Sequence, residues 1–282
     1  MSVKLVIESS GDIDSVEAQK LGITMLPIPI TFGEEEFLDG VNLTREQFYE
    51  KLVKCSNLPK TSMINSYRFE EVFKELVSNG DEVVAIVLSS GLSGTCNAAK
   101  TAAENFKDKV FVVDSLSATA GIKLLIEYAL TLIKEGKSAK EIFEILEEKK
   151  NKLQIRAMVD TLKYLKKGGR VSPLVAFAGE LMGIKPMVSV VDGKVEVIGK
   201  VIGLKKAINY INTEIEKIGG IDFDMPFYAI YSGIDQTKID NYINDNAQIW
   251  KCGAENVRKN CIGATIGTHV GPGAIGIAFF SK

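Results

Sequence analysis

Through the first half of the chain, short runs of β-branched residues alternate with longer stretches whose apolar side chains recur every three to four positions. That alternation predicts parallel strands joined by crossover helices. Strands are predicted over residues 3–7, 25–30, 83–88 and 110–113, and helices over 15–21, 44–54, 66–78, 95–106, 118–135 and 138–149. Thr44 with Gln47, and Ser138 with Glu141, have the spacing of a capping box, in which each side chain satisfies the other's backbone N–H at a helix start. After about residue 155 the texture changes. Residues 158–165 read as a short helical or extended piece, Lys166-Lys167-Gly168-Gly169-Arg170 punctuates the chain, and 173–182 predicts an apolar helix. Residues 185–191 and 194–198 read as two strands around a tight Asp192-Gly193 turn, a strong hairpin signal. A helix over 204–218, a strand over 227–231, a helix over 236–246 and strands near 261–266 and 276–280 follow. The pattern predicts two α/β domains: 1–155 with an open, mainly parallel sheet and crossover helices, and 156–282 with a mixed sheet.

Composition narrows the function classes. At 282 residues the chain has room for two medium domains, and 46% hydrophobic with 25% charged residues is an ordinary globular mix. Lys plus Arg (34) against Asp plus Glu (36) gives a net charge of −2, and the pI of about 5.7 argues against a surface that coats nucleic acid. Cys55, Cys96, Cys252 and Cys261 are too far apart for a zinc knuckle or a CxxC pair, and read as free thiols in a reducing cytosol. A single histidine, His269, excludes a histidine-based metal cluster or a two-histidine acid/base pair, so no metal or cofactor is expected. The first apolar run is cut short by Glu8, which does not make a signal peptide, and no apolar run approaches the ~18 residues of a membrane span. A cytoplasmic protein with at most transient membrane contact is expected.

Three segments carry candidate chemistry. The strand over 83–88 runs into Ser89-Ser90-Gly91-Leu92-Ser93-Gly94-Thr95 and then a helix. Such a small-residue loop sits at the carboxyl end of a parallel strand, where open α/β sheets bind ligands, and its N–H groups with the Ser93 and Thr95 hydroxyls suit an anion. Plain helix capping is the alternative. A second hydroxyl cluster, Thr61-Ser62 with Ser66 beyond it, precedes another helix and can converge on the same oxygen-rich anion. The third, Gly267-Thr268-His269-Val270-Gly271-Pro272-Gly273, holds the histidine in a glycine-bracketed turn, where it has either a structural or a functional role. Ser93, His269 and Asp114 supply the residue types of a hydrolase triad, but Gly91-Leu92-Ser93-Gly94-Thr95 places Thr95 where the nucleophile elbow needs glycine. Lys166, Lys167 and Arg170 form a small basic turn, a solvated face or an interaction handle.

Taken together, Leu88 to Thr95, Val159-Asp160-Thr161-Leu162-Lys163-Tyr164-Leu165-Lys166-Lys167-Gly168-Gly169-Arg170-Val171-Ser172, Lys185-Pro186-Met187 and Ile266 to Ala274 resemble the DegV family of bacterial fatty-acid-binding proteins, the lipid-presenting partners of fatty acid kinase. Glu8-Ser9-Ser10-Gly11-Asp12 and Val113-Asp114-Ser115 are supporting matches, and the resemblance covers about residues 3–281. It implies a non-enzymatic two-domain α/β protein that buries one long-chain fatty acid such as palmitate, with no catalytic residue of its own. By motif position, Thr61 and Ser93 would bind the carboxylate; His269, Arg170 and Ser62 would lie near the headgroup or serve partner docking. Phe177, Leu181, Met182, Ile184, Phe279 and Phe280 read equally as acyl tunnel or as core. Two departures stand out. Thr61-Ser62 continues with Met63-Ile64-Asn65 where the family has glutamine and proline, and Ile202 and Leu204 occupy a stretch where the family brings arginine, which bears on docking to the kinase. The alternatives are a lipid ester or thioester hydrolase using Ser93 and His269, and a fatty-acid carrier that serves another partner.

Overall fold

The computed structural model describes residues 2–171 and 183–282. Strands β1 (Val3–Glu8) and β2 (Thr24–Leu26) are linked by helix α1 (Ser15–Leu21); β3 (Pro29–Phe32) and β4 (Glu35–Leu38) then form a hairpin. Helix α2 (Arg45–Lys54), β5 (Lys60–Thr61), α3 (Ser66–Ser78), β6 (Glu82–Val87), α4 (Thr95–Ala103), β7 (Val110–Asp114), α5 (Ala120–Lys134) and α6 (Ala139–Lys149) complete the first half. Beyond it come β8 (Leu153–Met158), α7 (Lys163–Lys167), β9 (Ile184–Val191), β10 (Lys194–Ile202), α8 (Leu204–Lys217), β11 (Tyr228–Tyr231), α9 (Thr237–Asp245), β12 (Lys259–Cys261), α10 (Ala264–Val270) and β13 (Ile275–Phe280).

The first sheet is parallel, in the order β2-β1-β6-β7. Its chain path reverses between β1 and β6, which puts the topological switch point at their carboxyl ends. A six-stranded mixed sheet, β10-β9-β8-β13-β11-β12, takes all its strands from Leu153 onward and pairs antiparallel everywhere except β11 with β12. The small antiparallel sheet β4-β3-β5 was not anticipated. Both expected capping boxes form, at the starts of α2 and α6.

Helix α5 lies between the two large sheets. Its Ile122, Leu125 and Ile126 share one core with Leu5 and Ile86 of the parallel sheet and with Ile155, Ala157 and Phe280 of the mixed sheet. Outer cores close each sheet's far face: Phe69, Phe73 and Ala99 of α3 and α4 on the parallel sheet, and Ile208, Ile211, Ile239 and Tyr242 of α8 and α9 on the mixed one.

Three sequence expectations are corrected. The single strand over 25–30 is two short strands in different sheets, because Pro27 and Pro29 supply no N–H to a ladder; the chain leaves the parallel sheet at Leu26, and Ile28 N–H donates to Ser9 Oγ at 3.0 Å instead. The strand near 261–266 ends at Cys261, and the glycine-bracketed turn holding His269 is the helix α10. Strand β8, for which no element was predicted at 153–157, ends at Met158, and the piece over 158–165, read as helical or extended, runs from that strand end into α7 at Lys163. The hairpin is longer than expected, and its turn places both Asp192 (φ 48°) and Gly193 (φ 76°) in the left-handed region, as a two-residue hairpin turn requires. The helix expected over 173–182 lies outside the described residues.

Candidate functional site

A cavity of about 270 Å³ lies on the inner face of the mixed sheet, below the carboxyl end of β6. Period-two alternation builds its floor: Ile155, Ala157 and Val159 from β8 and beyond, Val188 and Val190 from β9, and Val195 from β10 line it. Leu88, Leu92 and Ala118 come from the loops of the parallel sheet, and Ile266 and Val270 from α10.

The polar groups in the lining fall into two sets. Thr119, Thr265 and Ser189 have their hydroxyls taken by buried side chains: Thr119 donates to Asp12, Thr265 to Asp39 at 2.5 Å, and Ser189 accepts from Arg156 at 2.6 Å. The second set comprises Thr61, Ser62, Ser93, Arg170 and His269, the residues that the sequence motifs singled out. The structure brings all five to one cavity from four segments.

Thr61 ends β5, the last strand of the small sheet, and its Oγ1 lies 3.0 Å from His269 Nε2. Ser62 is exposed beside it. Ser93 follows the Ser89 turn, and its Oγ is 3.0 Å from Thr95 Oγ1. The two hydroxyl loops touch: Ile64 N–H donates to Thr95 Oγ1 at 3.3 Å, and Met63 Sδ packs so close to Gly94 that a Cβ there would lie 2.6 Å from it. A side chain at Gly94 would have to displace the exposed, flexible Met63 side chain. Arg170 reaches across from the second half, donating from Nε to the Leu92 carbonyl at 3.1 Å and from a terminal nitrogen to Gly168. The hairpin turn grips the same loop, since Ser89 Oγ donates to the Gly193 carbonyl at 2.6 Å.

Burial, with the Arg170 guanidinium nearby, pushes the His269 imidazole down from its ordinary 6.5 to about 4, so it is neutral at physiological pH. Its Nδ1 is buried and has no hydrogen-bond partner among the described residues. A buried lone pair without a donor costs less than a buried N–H without an acceptor, so the proton belongs on Nε2, facing Thr61 Oγ1. The Thr61 hydroxyl hydrogen is then free to be donated to a third group.

The triad expected as an alternative is not assembled. Asp114 Oδ1 accepts from the Ser90 and Leu116 amides at 3.1 Å each, and no described carboxylate contacts the imidazole. Among the tunnel candidates, Phe279 and Phe280 sit in two different cores, and neither they nor Ile184 line the cavity. Phe177, Leu181 and Met182 lie outside the described residues. Ile202 is 68% exposed at the end of β10, and Leu204 packs against the outer core under α8.

Two carboxylates that sequence reasoning did not single out as site residues stand behind the cavity. Asp12 accepts from Asn260 Nδ2 at 2.6 Å and from the Gly263 amide at 2.8 Å, and Asp39 accepts from the Thr265 amide at 3.0 Å. Both are buried, and burial raises both carboxyls, Asp39 to about 6. They also border a second cavity, of about 280 Å³, that Thr44 and Arg45 line. The Asp39-Gly40 turn was the available signal, but its partner lies 226 residues away. Among the described residues no group of acidic, histidine and cysteine side chains has the arrangement of a metal site, and no helix is long and apolar enough to cross a membrane.

Comparison with known proteins gives one consistent match. The model described as uncharacterised protein, DegV family, matches residues 2–282. A DegV domain-containing protein from Caldanaerobacter subterraneus subsp. tengcongensis is 32% identical over 283 residues, covering 99% of each chain. Among solved structures, a fatty-acid-binding DegV family protein from Thermus thermophilus superposes with a TM-score of 0.87 at 28% identity, covering both chains fully. DegV, a fatty acid binding protein from Bacillus subtilis, gives 0.83 at 30% identity, again over both whole chains.

Proposed function

Since this chain belongs to the DegV family over residues 2–282, we propose that it binds one long-chain fatty acid and presents the carboxylate to a separate fatty acid kinase, without catalysis of its own. The observation that carries the reading is an aliphatic cavity with two hydroxyl loops and a neutral imidazole in its wall. Thr61 and Ser93 donate to the carboxylate, and His269 orients the Thr61 hydroxyl by donating to its oxygen. A charge-assisted hydrogen bond of this kind is about twice as strong as a neutral one, which offsets the desolvation of the head without a buried lysine. Burying ~14–16 methylenes at about 0.8 kcal/mol each supplies on the order of 10 kcal/mol before the costs of association. Fatty-acid binding by the Thermus thermophilus and Bacillus subtilis relatives supports the same ligand class. The proposal keeps two domains with the site between them, the expected boundary at 155/156 moved ahead of β8 so that Leu153–Met158 stays whole in the second, in a cytoplasmic carrier.

Organic extraction of the purified protein followed by mass spectrometry tests the binding step. About one fatty acid per chain is expected; an empty protein that also fails to take up added palmitate refutes it. Presentation is tested separately by incubating the loaded protein with a bacterial fatty acid kinase and ATP. Acyl phosphate formation is expected. Loaded protein that yields none points to a carrier for another partner, the reading that Ile202 and Leu204 favour in the place of arginine.

A further inference from the structure

Helix α10 carries His269 into the site, yet nothing in its own sequence caps its start. Its N-cap residue is Gly263, which has no side chain to offer, and β-branched Thr265, Ile266 and Thr268 with Gly267 are weak helix formers. The missing caps come from the other end of the chain. Asp39 takes both the amide and the hydroxyl of Thr265, at 3.0 and 2.5 Å, and Asp12 takes the amide of Gly263 at 2.8 Å. Asp39 is itself fixed, since its own N–H donates to the Ile28 carbonyl at 3.1 Å, and Ile28 lines the cavity. Capping from a distant loop ties the position of the helix to that loop, whereas a local cap would hold it wherever it docked.

We propose that Asp39 is a positioning residue of the site: by capping α10 from the first half of the chain it sets the His269–Thr61 contact and so the affinity for the fatty-acid head. This inference rests on the fatty-acid reading for its second consequence and on geometry alone for its first. Asp12 holds the same helix start but is also bonded to Asn260 and Thr119, so its loss would disturb more than α10. Asp39 has one further side-chain partner, the Ser9 hydroxyl, against two for Asp12, and gives the cleaner test.

Because His269 is the single histidine, one imidazole signal in the NMR spectrum of histidine-labelled protein reports it without ambiguity. In the unaltered protein that signal is expected to titrate near pH 4. In Asp39→Ala it should move toward the ordinary value of 6.5, and palmitate should bind about tenfold more weakly, as expected for the loss of a helix cap. Asp39→Asn retains an acceptor oxygen for Thr265 and should restore most of the affinity. Tyr242→Phe, which removes a half-buried hydrogen bond from the outer-core Tyr242 to Asn212, serves as the control for general loosening. Asp39→Ala overturns the proposal if it leaves both the His269 titration and the affinity unchanged, or if it alters them no more than Tyr242→Phe does. Should Asp39→Ala fail to fold, Thr265→Val removes the hydroxyl half of the contact from the helix side, and an unmoved imidazole signal there is equally fatal. If the unaltered protein binds no fatty acid, the proposed function fails while the imidazole titration still decides the role of Asp39.

Discussion

His269 has one ring nitrogen buried without a partner among the described residues, so protonating the imidazole costs free energy only in the folded state. Its folded pKa of about 4 lies below the ordinary 6.5, which makes its contribution to stability complete above pH 6.5 and lost as the pH falls toward 4. That gap corresponds to about 3 kcal/mol. Urea midpoints measured from pH 7 to pH 4 should therefore fall less steeply for His269→Gln than for the unaltered protein. The paired hydroxyls are expected to act mainly on binding, with a smaller loss of stability because Thr61→Val takes the acceptor away from His269 Nε2. Replacing Thr61 by valine together with Ser93 by alanine would remove the two hydrogen bonds that the proposed function assigns to the carboxylate, worth about 3 kcal/mol or more, so palmitate affinity measured by calorimetry should drop at least ~100-fold with the far-ultraviolet circular dichroism unchanged. Thr61 and Ser93 were legible in the sequence because each lies in a short hydroxyl motif that precedes a helix. Asp39 was not, because its chemistry depends on Thr265, far along the chain.

At the scale of elements, α10 shows why glycine-rich segments mislead. Gly267, Gly271 and Gly273 read as a turn, but Gly267 serves close packing: a Cβ there would lie 2.7 Å from Phe48 Cε1 and 2.8 Å from the Tyr49 hydroxyl. Gly267→Ala therefore sets two effects against each other. Helix propensity favours alanine by about 1 kcal/mol, and overpacking against α2 costs about 1–3 kcal/mol. Packing wins, because both ring neighbours are fully buried and cannot retreat, and Gly267→Ala should lower the thermal midpoint by several degrees in scanning calorimetry. The crossover helices and the Asp192-Gly193 hairpin were readable from periodicity and turn chemistry, which are local. Strands β4 and β5, with four and two residues, carry too little pattern to be read, and their pairing partner β3 was masked inside a run interrupted by two prolines.

For the whole molecule, the junction between the two halves is polar and buried. Glu8, Asp12 and Asp39 are all raised above the usual carboxylate range, by burial first. For Asp39 the folded value of about 6 exceeds the ordinary 3.8, so the folded state gains stability as the pH falls through 6 and the gain is complete below 3.8. This opposes the histidine. Between pH 7 and pH 5 the Asp39 contribution is about 1 kcal/mol, and an Asp39→Asn protein should lose that much more stability over this interval than the unaltered chain, as read from chemical denaturation. The layered α/β architecture was visible from the alternation of elements. The way its halves are tied together was not, because a buried carboxylate looks like any surface acid until its distant partner is known.

The two aspartates and the amides they cap are separated by 226 and 251 residues. Synthesis runs from the N-terminus, so Asp12 and Asp39 leave the ribosome with the strands of the parallel sheet, long before residue 263 is made. A nascent chain can complete that sheet while these carboxylates still face water, and contacts of such sequence separation close late. On the proposed function, lipid loading would therefore follow the arrival of α10, because Ile266, His269 and Val270 form part of the cavity wall and the cavity is open on that side until the helix docks.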